Sequence, residues 1–273
     1  MAVTDAPTDL ESLRRRIDHV VAQHPVVTSN PYTEWFAQGD ASIGEVRHLA
    51  VQFSVFSHLF VEAQLRKVIN APDLESYRAG KEILMNELGV IYRPAGGRPP
   101  VAGAEDPEFI GTEGSVDAST FRFSAAHFEW LLNFGVPLGL SFEDMGKRRH
   151  ATPSTRFFCD ELLRIYGAED ASTAEGASFA VEHWAAAGFW KELIAGLKAF
   201  KERESPLLPL GFWTWHDKIE DQHAAHTSDE LGKAFDTPGF DEEKFLQGAQ
   251  EMLDGVKAFW DGLWSDHVVR HAA

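Results

Sequence analysis

The chain has 273 residues, 44% of them hydrophobic, with a single cysteine and a formal net charge of -17. That length suffices for one substantial core, and acidity without a basic stripe excludes nucleic acid and anionic membrane as expected partners. The start, MAVTDAPTDLESLRRR, lacks an apolar h-region, no run of about 18 apolar residues occurs, and lone Cys159 leaves no internal disulfide, so a reducing cytoplasm is the expected location.

Helical periodicity runs along nearly the whole chain. Leu10 to Gln23 predicts a first helix, and Thr33 to Ala37 a short helical turn after Asn30-Pro31. Ile43 to Val68 predicts a long amphipathic helix with Val46, Leu49, Phe53, Phe56, Phe60 and Leu65 on its apolar face. Leu74 to Val90 follows after Pro72-Asp73. Pro94 to Ala118 is rich in Gly and Pro and reads as a loop, an insertion near 92–118. Helices are expected again over Ser119 to Asn133, Pro153 to Tyr166, Ser178 to Lys201, Leu210 to His226 and Asp241 to Trp264. Gly167 to Ala177 and Glu204 to Pro209 read as connections. No convincing β alternation, repeat or low-complexity tract stands out, so residues 1–273 are expected to form one all-α domain of about seven to nine helices.

The densest chemistry lies in His216-Asp217-Lys218-Ile219-Glu220-Asp221-Gln222-His223. His216, Glu220 and His223 stand at i, i+4 and i+7, within roughly 60° on one helical face. Two imidazoles and a carboxylate suit a divalent transition metal, iron above all. The plainer alternative is a solvated polar face, given Asp217, Lys218 and Asp221 beside them. Glu182 interrupts an apolar run, Phe179 to Ala187, where a carboxylate wants a cation or a donor. His127 sits among Phe123, Phe128 and Trp130, and by itself reads equally as a core histidine. Glu87, in Ile83 to Gly89, reads by itself as a surface carboxylate.

Taken in order, Glu87, His127, Glu182 and the H-x3-E-x2-H of His216, Glu220 and His223 resemble the ligand set of the heme-oxygenase-like di-iron oxidases and oxygenases. The step of 55 residues from His127 to Glu182 and of 34 from Glu182 to His216 is similar to the family's. The resemblance, over about residues 40 to 230, implies a heme-oxygenase-like bundle holding two irons at these six positions. It implies an O2-dependent oxidoreductase acting on a small amine or amino-acid-like metabolite, by N-oxygenation or oxidative C–C cleavage, with an external electron donor and a homodimer as further expectations. In the family the first Glu and His stand about two turns apart on one helix, whereas Glu87 and His127 are 40 residues apart here. The Gly/Pro-rich insertion would have to split or extend that helix, and Glu105 and Glu108 within it are alternative ligands. Glu62 matches an additional carboxylate of N-oxygenating members, or pairs with Arg66 or Lys67 at the surface.

Three other readings stay open. Glu45-Val46-Arg47-His48 and Glu220-Asp221-Gln222-His223 are both E-x-x-H, the paired motif of ferritin-like bundles. Cys159 stands where a metal-free hydrolase, similar to the helical thiaminases, would carry its thiol, although Asp160 and Glu161 beside it disfavour a thiolate. A non-catalytic metal-binding helical protein is the third. Phe53, Phe56, Phe123, Phe128, Trp184, Phe189, Phe212 and Trp215 are candidate pocket walls or ordinary core, and Arg122 and Arg156 could pair a substrate carboxylate. His58, His150 and His226 lack companions at ligand spacing.

Overall fold

The computed structural model describes residues 9–92 and 121–272, with the side chains of 91–92, 121–123, 219–230 and 272 outside it. The described residues form eleven α-helices, several short π and 3-10 turns, and one two-stranded ribbon. Helix α1 is Leu10–Ile17, closed by a π turn at Asp18–Ala22. Two short helices follow, α2 Pro25–Thr28 and α3 Pro31–Phe36, each with proline in its first turn, where no intrahelical N–H is needed. Helix α4, Ile43–Ile69, opens with a capping box, in which Ser42 and Glu45 satisfy each other's backbone N–H groups. Helix α5 is Leu74–Glu87 and α6 is His127–Gly135. Helix α7 is Pro153–Glu161 with a π turn at Leu162–Tyr166, and α8, α9, α10 and α11 are Ala171–Ala185, Phe189–Glu204, Gly211–Phe235 and Glu242–Ala272.

The expected helices are present, but the described α-helices number eleven rather than seven to nine, α2 is additional, and α5 ends at Glu87 with Val90 in a strand; four further differences follow. Ser178 to Lys201 is two helices, because Gly188 adopts φ +96°, a left-handed conformation that ends helical continuity. Gly167 to Ala177 is not a connection: Asp170 accepts from the Thr173 N–H and starts α8 at Ala171. Ser119 to Asn133 is helical only from His127; β2, Phe121–Phe123, precedes it and pairs antiparallel with β1, Val90–Tyr92. Helices α10 and α11 run beyond their expected ends, to Phe235 and Ala272.

One continuous core joins the bundle. Phe53 of α4 is its hub, with its ring 4.9 Å from Trp213, 5.7 Å from Trp190 and 5.9 Å from Phe212. Burial of each such side chain stabilises by about 2–3 kcal/mol relative to exposure. Helix α11 runs against α8 and α7. It approaches them through Gly248, Gly255 and Gly262, one every seven residues; a Cβ on Gly248 would lie 2.4 Å from the Thr173 carbonyl oxygen. Among the described residues no helix is long and apolar enough to cross a membrane.

Candidate metal centre

The ribbon explains how residues 40 apart in sequence become neighbours. Its register pairs Val90 with Phe123, Ile91 with Arg122 and Tyr92 with Phe121. The Ser124 N–H then donates to the Gly89 carbonyl oxygen at 2.7 Å, continuing the ladder by one step. The last residue of α5, Glu87, is thereby carried to the first residue of α6, His127. Their Oε2 and Nδ1 atoms lie 3.0 Å apart, on side chains only 14% and 7% exposed. Helix α5 ends at Glu87 and α6 begins at His127, and Glu105 and Glu108 lie outside the described residues.

The contact is not a hydrogen bond. Nδ1 of His127 is buried and has no hydrogen-bond partner, so the Glu87 oxygen stands off the line a ring N–H would need. A buried polar atom left so costs about 1–3 kcal/mol. Two donor atoms bonded to one cation at about 2.1 Å and a right angle stand about 3.0 Å apart. A spacing of 3.0 Å is thus that of two ligands of one metal as well as that of an ion pair.

His216 of α10 packs beside His127. Its ring centroid is 5.0 Å from that of His127, and Trp215 lies 4.9 Å from His127. Nδ1 of His216 is 2.6 Å from the Phe212 carbonyl oxygen. A carbonyl has no proton to give, so Nδ1 donates, and in the neutral ring Nε2 carries the lone pair that a metal takes. Trp190 stacks on the His216 ring at 5.0 Å and 24°, and Phe212 lies 4.2 Å from it. Trp190 is absent from the expected pocket walls, though its place after Phe189 in an apolar segment is a visible signal.

Glu182 lies on α8, which packs against α10, and is partly exposed. It acts electrostatically on Tyr166, whose hydroxyl is pushed up to about 12, first by burial and further by the Glu182 charge, against the pull of Lys67. Glu220 and His223 lie on α10 at i+4 and i+7 from His216, but their side chains are outside the described residues. Glu62 is not brought to this cluster by any described contact: its side chain is 55% exposed and 4.0 Å from Arg66. Of the expected pocket walls, Phe53, Trp184, Phe189 and Phe212 are buried core. Arg156 is exposed, and the Arg122 side chain lies outside the described residues.

The ferritin-like pairing is not formed by what is described. Glu45 contacts Ser42, His267 and His271, and His48 contacts Asp266 on α11. Cys159 is buried against Val55 and Ala151, and burial, more than its acidic neighbour, pushes its thiol up to about 12. A thiol so held is a poor nucleophile. His58 and His150 serve the loop between α6 and α7 through the carbonyls of Gly146 and Glu143.

No protein-family model matches the chain, and no curated protein matches it in sequence. Solved structures do. A domain of unknown function with a heme oxygenase-like fold from Shewanella denitrificans superposes with a TM-score of 0.62 at 14% identity, covering 97% of this chain and 96% of that one. A CADD-like protein of unknown function from Nostoc punctiforme gives 0.60 at 17% identity, covering 95% and 96%. A TenA homologue from Pseudomonas syringae pv. tomato gives 0.63 at 11% identity, covering 97% and 99%. The chain has the heme-oxygenase-like fold, and its described residues are all-α but for one small ribbon.

Proposed function

We propose that this chain is a non-heme di-iron oxygenase or oxidase that uses O2 to oxidise a small amine or amino-acid-like metabolite in the cytoplasm. Glu87, His127, Glu182, His216, Glu220 and His223 would hold the two irons. The observation that carries the reading is the buried, unbonded His127 Nδ1 held 3.0 Å from the Glu87 carboxylate, beside the His216 ring. That donor set of imidazole and carboxylate suits Fe(II). When bound, a pair of ferrous ions would supply the electrons that activate O2 as the oxidant of the substrate. The chain's own residues orient and shield. The Phe212 carbonyl fixes the tautomer and angle of His216, and Trp190, Trp215 and Phe212 surround the imidazoles with apolar surface that keeps water from the reacting groups.

Anaerobic Fe(II) loading followed by O2 exposure tests this, with iron counting and stopped-flow absorbance on the wild type and His216→Ala. The expected result is about two irons per chain and a transient visible band in the wild type, both reduced in the variant. Iron uptake that His216→Ala leaves untouched overturns the reading.

A further inference from the structure

A second cluster of metal-binding side chains lies elsewhere in the bundle. His267 and His271 stand at i and i+4 on α11, so both imidazoles leave one face of that helix, with ring centroids 4.6 Å apart. Glu45, from the first turn of α4, meets them: its Oε1 is 2.6 Å from His267 Nδ1 and 2.8 Å from His271 Nε2. These three atoms lie within 4.8 Å of one another. The other carboxylate oxygen, Oε2, is committed to the Ser42 N–H and hydroxyl, each at 2.8 Å, which fixes the carboxylate with Oε1 toward the rings. Trp35 packs on the His267 ring at 3.7 Å and fixes that ring too.

We propose that Glu45, His267 and His271 bind a divalent cation of the zinc type. Two imidazoles and one carboxylate are the protein ligands of many zinc sites, with a fourth position left to solvent. In the protein without the ion, both rings give an N–H to the same oxygen, Oε1. The ion takes the place of those two hydrogens. Its ligand atoms would spread to about 3.0–3.4 Å apart, so the Glu45–His267 pair, now at 2.6 Å, opens by a few tenths of an ångström and His271, whose side chain is 61% exposed, shifts with it. The same exposure gives the ion a route in. This site is separate from the di-iron centre: Glu45 precedes Phe53, the α4 residue packed on Trp213 and Phe212, by eight residues, about 12 Å of helix rise. Bound there, the ion would pin the end of α11 to the start of α4.

The test is calorimetric titration of the chelator-stripped full chain with Zn2+, on the wild type, on His271→Ala and on Glu87→Ala/His216→Ala. His271 is exposed, so its variant is expected to keep its fold, checked by circular dichroism. Zinc binding that persists in the Glu87→Ala/His216→Ala protein and weakens at least tenfold in His271→Ala supports the proposal. Should the double variant unfold, the wild-type background serves: His271→Ala is expected to lose about one equivalent of Zn2+ while its Fe(II) count stays unchanged. Zinc affinity and stoichiometry unchanged by His271→Ala overturn the proposal, and the separate iron count shows whether the di-iron reading stands.

Discussion

Asp170 shows how one carboxylate works in two directions. It accepts from the Thr173 N–H at 3.0 Å, starting α8, and from Lys244 Nζ at 2.6 Å, tying α8 to α11. The Lys244 contact, more than the backbone one, holds its carboxyl below the ordinary 3.8. The folded-state pKa is the lower one, so the stabilisation is full above 3.8 and fades as pH falls through the depressed value. Asp170→Ala should cost about 1 kcal/mol at neutral pH, and urea titrations should show the gap between variant and wild type closing in acid. A gap that widens on acidification would sink this assignment. Cys159, with its thiol pushed up to about 12, should resist iodoacetamide in the folded protein and react once unfolded. Cys159→Ala should leave iron loading intact at a cost of about 1 kcal/mol; loss of iron or of turnover would restore the thiol to the chemistry.

At the scale of the element, Gly188 separates α8 from α9 at φ +96°, with nothing within 4 Å of where a Cβ would stand. Gly188→Ala therefore isolates backbone strain, and about 1–2 kcal/mol of destabilisation is expected, seen as a lower urea midpoint with an unchanged slope. The same residue shows what the sequence hides. Ala185-Ala186-Ala187 before it and Phe189-Trp190 after it keep a helical pattern going, and one glycine is tolerated in most helices. Long amphipathic elements such as Ile43–Ile69 were legible because apolar positions recur over many turns. Three-residue strands were not, since Val90–Tyr92 and Phe121–Phe123 are too short to display alternation. Of the candidate centre, the types and order of residues were legible. The 3.0 Å approach of Glu87 to His127 was not, because it depends on pairing across a gap. The Glu45, His267 and His271 cluster escaped for the same reason, its nearest members from the two helices standing 222 residues apart, although His-x3-His was there to be read.

The whole molecule brings Glu87, His127 and His216 together from α5, α6 and α10, while α11 packs along α8 and α7. Tyr92 and Phe121 are paired at the end of the ribbon, with residues 93–120 between them in the sequence. Replacing 93–120 with a two-residue Asn-Gly turn, which suits a hairpin, is expected to preserve iron stoichiometry. A fall in bound iron would instead assign a ligand to that stretch, with Glu105 and Glu108 the first to restore.

The ribbon has a consequence for ancestry and for detection. Two antiparallel strands act as a clasp, so the number of residues threaded beyond it can grow or shrink while Glu87 and His127 keep their positions. Lengthening such an excursion costs only logarithmically in closure entropy. Selection could therefore have drafted new sequence at that point without dismantling the centre. A search keyed to a fixed short interval between the two residues would pass over a chain so enlarged. What stays fixed is the pairing of the strands on either side, whatever the number of residues between them.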